Sequence, residues 1–383
     1  MKKTIQIILL LILTFSLSLE EVIAREKIKI GLLIPLTGKN SEVGQSIIKS
    51  TRLAINQINN LTIEIIPKDT ASNPKITLRA AKDLANQGVK IVIGPVFNKN
   101  LIYLDELSKL TFLSLTNKND NISNNIINTG INATSQLNAI KKFIEINKIK
   151  KTIFLTPDVN YKSEIKQAIS NSKIKIIKNY TYNTNPTKLT KQIEKITIYE
   201  KRKQNLEDEI KRLEESSEDS KEQLIERLKK KDTLGNVEFD SLIIADFDES
   251  LKSVTTSLLY TDISPKEKYF ITLNQWFDES LLLETSSQPL YFPSINKKNY
   301  EDFSTEYFEK YNQYPNQLSF LSFDLIGLIY YLILQNEFVV DDKIFTKKNL
   351  FKGKIGIFEI KDNKINHILN FYKIENKKFK KIF

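Results

Sequence analysis

The 383-residue sequence contains no cysteine, which excludes disulfides, thiol nucleophiles and a lipid carried on an N-terminal cysteine. It has a single histidine, His367, so histidine-rich zinc sites and Ser-His-Asp arrangements lack their parts. A lone His367 in a strand-like stretch near the end of the chain is read as structural. No metal, cofactor or enzymatic chemistry is expected. Glycine is scarce, with ten residues. Gly31 and Gly38-Lys39 only faintly resemble a phosphate loop, because Asn40 stands where Ser or Thr would hold magnesium. The formal charge is +11, but lysine is spread along the chain without the Arg-and-aromatic clustering of a nucleic-acid face, so no nucleic-acid partner is expected. The apolar run from Ile5 to Leu19 is shorter than the roughly 20 residues of a membrane span. With Lys2 and Lys3 before it and Val22-Ile23-Ala24 after it, the run reads as a signal peptide cleaved after Ala24. The expectation is export without stable membrane insertion.

From Lys27 short β-branched runs alternate with longer amphipathic ones, the pattern of βαβ units building a mostly parallel sheet. Ile28–Ile34, Thr62–Ile66, Val89–Ile93 and Thr111–Leu115 read as strands, and Ser41–Ile58, Pro74–Gln87 and Leu101–Leu110 as helices. Asn73 before Pro74 and Gly88 after Gln87 mark the ends of the second helix. A second α/β set runs from Thr152. Helices at Tyr300–Tyr314 and Phe320–Gln335 follow, and a hairpin turns at Asp362-Asn363. Two lobes are predicted, one from residues 25–147 plus 291–340, the other from 148–290 plus 341–383.

Three glycines, Gly31, Gly38 and Gly44, fall in the first strand-loop-helix unit, where the backbone must turn tightly or approach something closely. Ligands of open α/β sheets bind outside the carboxyl ends of the strands. Leu36, Thr37 and Gly38 are therefore candidate cleft residues, with Phe97, Asn98, Thr116, Asn117 and Tyr161 on the other strand-end loops. Asp246 and Trp276 complete the set. Asp246 with Asp248 would suit acid-base work, but their place between a strand and a helix reads better as a helix cap.

The segment 191–232 breaks the alternation, with twelve basic and twelve acidic residues. Leu206, Ile210 and Leu213 form one narrow apolar stripe, and Leu224, Ile225 and Leu228 another, separated by the polar run Glu214–Lys221. A helical hairpin is predicted, supported by i,i+4 pairs Glu207–Lys211, Asp208–Arg212 and Glu226–Lys230. It would be an arm projecting into solvent, with Leu206, Ile210, Leu213, Leu224 and Leu228 as candidate partner-binding residues.

Lys27–Asn59, reading KIKIGLLIPLTGKNSEVGQSIIKSTRLAINQIN, and Leu84–Asn100, reading LANQGVKIVIGPVFNKN, resemble the leucine-binding-protein-like family of periplasmic receptors. The resemblance implies the two-lobed type I periplasmic-binding-protein fold. It also implies that small hydroxyl residues after the third strand hold a ligand carboxylate, where this chain has Phe97, Asn98 and Lys99. Tyr161 matches the aromatic that covers the ligand in such receptors. A narrower likeness runs through the charged insertion, DTLG at Asp232–Gly235, FDSLIIAD from Phe239 and LNQWFDE from Leu273. These are similar to the alphaproteobacterial penicillin-binding protein activators, which implies a peptidoglycan synthase as partner. The alternative from the wider family is a receptor that delivers a small polar molecule to an ABC transporter permease.

Overall fold

A computed structural model describes residues 27–58, 63–118, 123–341, 344–354 and 356–383. The expected signal peptide and its cleavage point lie outside the described residues. In the first lobe, strands β1 (Ile28–Ile34), β2 (Ile63–Asp69), β3 (Ile91–Ile93), β4 (Thr111–Ser114) and β5 (Ile126–Asn128) form a parallel sheet in the order β2-β1-β3-β4-β5. Both faces are covered, and the alternation within β1 shows how. Ile30, Leu32 and Ile34 face the main core, while Leu33 faces a second cluster with Leu84, Val92 and Phe112.

The second face is closed by helix α2 (Pro74–Asn86), whose Asn73 side chain accepts from the amides of Lys75 and Ile76. The main core is closed by α1 (Ser41–Ile58). Gly44 is required at its start, because a Cβ there would lie 1.8 Å from the Pro35 carbonyl oxygen. Gly38 turns the preceding loop with φ of 78°. The helix predicted at Leu101–Leu110 is instead two 3₁₀ turns, Asn98–Leu101 and Leu104–Glu106. Leu101, Leu104 and Leu107 recur every third residue, the period of a 3₁₀ turn, so they line one side without an α-helix.

The second lobe carries β6 (Thr152–Pro157), β7 (Lys178–Tyr182), β8 (Ser241–Ile244), β9 (Tyr269–Thr272), β10 (Leu290–Ser294), β14 (Asn370–Glu375) and β15 (Lys378–Lys381). Their order is β15-β14-β10-β9-β8-β6-β7, with the last two strands in sequence antiparallel to their neighbours. Helices α3 (Ala133–Ile146), α4 (Lys162–Ser172), α5 (Pro186–Ile196) and α8 (Asp248–Tyr260) cover it. The insertion forms α6 (Tyr199–Glu214) and α7 (Lys221–Leu228), and α9 (Lys297–Tyr311) and α10 (Gln317–Gln335) return to the first lobe, where both pack on α1.

The lobe boundaries differ from those predicted. Helix α3 packs on α4, β10 and β14, so the first crossing lies near 129–132 instead of 147. β10 pairs with β9 and β14, which moves residues 290–294 into the second lobe. Hydrophobic periodicity reports that an element is buried but not against which sheet. The C-terminal hairpin also divides. β12 (Ile357–Lys361) and β13 (Lys364–Ile368) turn at Asp362-Asn363, both with positive φ, and join β11 (Asn349–Lys352) in a third sheet. Helix α10 is long and apolar enough to cross a membrane by length and composition, yet Phe320, Ile326, Leu328 and Ile329 are fully enclosed in the main core.

Candidate functional site: the cleft between the lobes

Between the lobes lies a cavity of about 870 Å³, within the size range of ligand pockets. Phe97 and Asn98 reach it from the loop after β3, and Leu115 to Lys118 from the end of β4. From the other side come Phe247 and Asp248 after β8 and the loop Asn274–Asp278 after β9. Tyr300, Gln317, Phe320 and His367 also line it. The expected cleft residues Phe97, Asn98, Thr116, Asn117 and Trp276 are thus brought together.

Leu36, Thr37, Gly38, Tyr161 and Asp246 do not line it. The loop after β1 is occupied by the chain's own carboxylate. Asp69, at the end of β2, accepts from the amides of Leu36 at 2.7 Å, Thr37 at 3.3 Å and Ala71 at 2.8 Å, and from the Thr37 hydroxyl at 2.6 Å. Burial pulls the Asp69 carboxyl upward, but these donors outweigh it and hold the group below the ordinary aspartate value. The backbone donors that would greet a ligand anion are spent.

Asp246 sits behind the cleft wall. The Tyr182 hydroxyl donates to it at 2.6 Å and the Phe247 amide at 3.0 Å, while the Tyr161 hydroxyl lies 3.2 Å from the Ala245 carbonyl and 3.5 Å from the carboxylate. Burial pushes the Asp246 carboxyl up, and burial beside that carboxylate pushes both phenols well above their usual range. Tyr161 is therefore a fixed strut instead of a ligand cover. The helix-cap reading of Asp246 and Asp248 also needs correcting: Phe247 stands at the cap position of α8 with no side-chain cap bond.

The second-lobe wall is held in backbone conformations that non-glycine residues avoid. Trp276 and Phe277 have φ of 48° and 59°, and Asp248 has 49°, at a cost of about 1–2 kcal/mol each. Asn274 pins the turn, its Oδ1 accepting from the Trp276 amide at 3.0 Å and the Ser294 hydroxyl at 2.8 Å. Much of the amide chemistry is likewise internal. Gln136 accepts from the Asn274 amide at 2.9 Å, and Gln275 donates to the carbonyls of Asp246 and Leu273. The cleft carries one lysine, Lys118, on the first lobe, against Asp248 and Asp278 on the second. Among the described residues no group of three His, Asp or Glu could hold a metal.

His367 lies against this cleft from β13. Its Nε2–H donates to the Thr129 carbonyl at 2.7 Å, and its ring meets Phe358 edge-on. Burial depresses its pKa to about 4. The cleft residues missed in the sequence, such as Lys118, Phe247 and Gln317, divide into two kinds. Phe247 follows a strand end and was findable by the strand-end rule, whereas Gln317 reaches the cleft only because α10 packs back on α1.

The charged insertion is a helix pair, and its root is built into the second lobe. Arg202, 4% exposed, donates to the carbonyls of Thr261 at 3.0 Å, Asp262 at 3.2 Å and Gly235 at 3.3 Å, and to the Thr233 hydroxyl at 2.6 Å. Thr233 in turn donates to the Asp262 carboxylate at 2.6 Å. The DTLG segment, Asp232–Gly235, is thus the socket for Arg202. Leu206 and Leu213 are buried and cannot meet a partner, which corrects their assignment; Ile210, Leu224 and Leu228 are half-buried. Of the expected ion pairs Glu226–Lys230 forms at 3.5 Å, while Arg212 takes Glu209 and Glu218 instead of Asp208, which accepts from Gln204.

The family described as periplasmic binding protein matches residues 27–197. No curated protein matches the sequence. A putative branched-chain amino acid ABC transporter protein from Rhodospirillum rubrum superposes with a TM-score of 0.71 at 12% identity, over 93% of this chain and 100% of that one. The C-domain of LpoA from Haemophilus influenzae, a regulator of PBP1A, gives 0.62 at 14% identity, over 93% and 100%. LivJ from Streptococcus pneumoniae in complex with isoleucine gives 0.54 at 17%, over 93% and 98%. The fold is that of the type I periplasmic binding proteins.

Proposed function

We propose that this chain is an exported, non-catalytic binding protein that acts in the periplasm by contact with a peptidoglycan synthase. The observation that carries this reading is the insertion: a charged helix pair whose root arginine is seated in four acceptors, two of them on the turn after α8. Helix α7 has no buried residue and packs on α6, so one side of the pair is open to a partner. The likeness in fold to a PBP1A regulator supports the same reading. The cleft adds to it, since Asp69 consumes the amides after β1 and Phe97-Asn98 stand where hydroxyl residues would hold a carboxylate.

The test replaces Glu207–Lys230 with a Gly-Ser linker, leaving Arg202 in its socket, and measures capture of a purified bifunctional peptidoglycan synthase on a biosensor. The variant is expected to fold and to lose capture. Capture undiminished in the folded variant refutes the reading. The second reading, a solute receptor feeding an ABC transporter permease, draws on the open 870 Å³ cleft with opposite charges on its two walls. A strong thermal shift with leucine or another free amino acid would favour it.

A further inference from the structure

The third sheet is packed on one side. Its inner face presents Phe351, Phe358, Ile360 and Ile365 to the main core. Side chains alternate along each strand, so the register fixes what the outer face carries. Lys352, Ile357 and Ile368 form one row across it, Leu350 and Glu359 the next, and Lys361 and Lys364 the last. Leu350 is 59% exposed and Ile368 53%, large aliphatic side chains left in water on a single surface. Glu359 is taken by Lys348 at 3.5 Å. Among the described residues, Lys352, Lys361 and Lys364 are exposed and enter no ion pair. Lysines on an edge strand discourage strand pairing, but Ile357 and Lys361 belong to the central strand β12, where no edge needs protection.

We propose that this outer face is a reversible docking surface for an anionic lipid bilayer. Aliphatic tips beside unpaired cations match the boundary of a bilayer, where apolar ends enter the acyl region and ammonium groups meet the phosphates. Lysine suits that boundary because its stem lies along apolar surface while its charge stays at headgroup level. An acidic protein surface fits less well. Protein interfaces draw on Tyr, Trp, Phe and Arg and are depleted in Lys, and the three rows hold none of the former. A second copy is disfavoured by the repulsion between two chains of formal charge +11. The contact is independent of the charged helix pair.

The test is co-sedimentation of the mature exported chain with vesicles of phosphatidylethanolamine and phosphatidylglycerol, with phosphatidylcholine vesicles as the neutral comparison. Binding to the anionic vesicles alone is expected, falling steeply between about 0.05 and 0.5 M salt. Lys352→Gln, Lys361→Gln and Lys364→Gln combined should weaken it on the order of a hundredfold. Leu350→Ser with Ile368→Ser should weaken it at least about tenfold, each variant being confirmed as folded by its melting curve. Lys175→Gln, Lys188→Gln and Lys191→Gln combined remove the same charge from exposed positions of the second lobe and should leave most of the binding. The proposal is overturned by no binding to the anionic vesicles, or by equal losses from the two lysine triples, which would assign the effect to net charge. Undiminished binding in the folded Leu350 and Ile368 variant also overturns it. Soluble polyglutamate that binds as tightly as the vesicles and is lost with Lys352, Lys361 and Lys364 would overturn the bilayer in favour of an acidic protein.

Discussion

Replacing Arg202 with alanine should detach the root of the charged helix pair while leaving the lobes folded. The guanidinium makes four hydrogen bonds with neutral acceptors in a buried socket, and lies 3.7 Å from the Asp262 carboxylate. Burial pulls its pKa down from the ordinary arginine value and the Asp262 carboxylate pulls the other way, so the charge is held by its neighbours. A hydrogen bond from a charged donor contributes about 1.5–3 kcal/mol, but such values do not add when water refills the space. Asp262 is partly exposed, so water can enter, and the expected loss is about 3 kcal/mol instead of the sum. If that loss is local, amide hydrogen exchange across Tyr199–Glu214 should speed up on the order of a hundredfold. Arg202→Lys should recover only part of it, because an ammonium cannot span acceptors placed for a planar fork. Arg212→Ala is the control, since its pairs with Glu209 and Glu218 are exposed on the arm and exchange should change little. Unaltered exchange in Arg202→Ala, or an equal effect from Arg212→Ala, would refute the idea that this one side chain anchors the pair.

His367 should make stability depend on pH. Its folded pKa of about 4 lies below the ordinary 6.5, so the unfolded chain binds the extra proton between these values and stability falls as pH drops from 6.5 to 4. The full difference is about 3 kcal/mol; Tm measured across that range should flatten in His367→Gln, and an identical slope would exclude this histidine as its source. Gly44→Ala places a Cβ 1.8 Å from the Pro35 carbonyl oxygen, backbone that cannot swing aside, and should cost more than about 2 kcal/mol in denaturant unfolding. Gly356→Ala, with nothing within 4 Å, should be neutral; equal effects would show that the α1 start tolerates displacement.

The alternation of β-branched and amphipathic runs, the Asn73 cap and the Asp362-Asn363 turn were legible in the sequence because each depends on residues within one or two turns of chain. The segments that carried the resemblance proved physically meaningful as well: GPVFN and LNQWFDE line the cleft, and DTLG holds Arg202. What the sequence could not disclose was which partner each polar group would find. Gly31, Gly38 and Gly44 signalled a close approach, but Gly31 meets Leu84 of α2, Gly38 only turns the chain with positive φ, and Gly44 brings α1 against its own strand loop; the anion at that loop is Asp69, thirty-two residues beyond Thr37. Tyr161 and Asp246 follow strand ends as a binding residue would, yet the Tyr161 hydroxyl turns to the Ala245 carbonyl and Asp246, and Asp246 accepts from Tyr182. Hydrophobic period and turn chemistry are local quantities, so the sequence determined the elements and the fold class. Competition for a hydrogen-bond donor, and the sheet on which a buried helix settles, depend on groups brought close only by folding, so the tertiary structure alone decided the cleft wall, the lobe boundaries and the Arg202 socket.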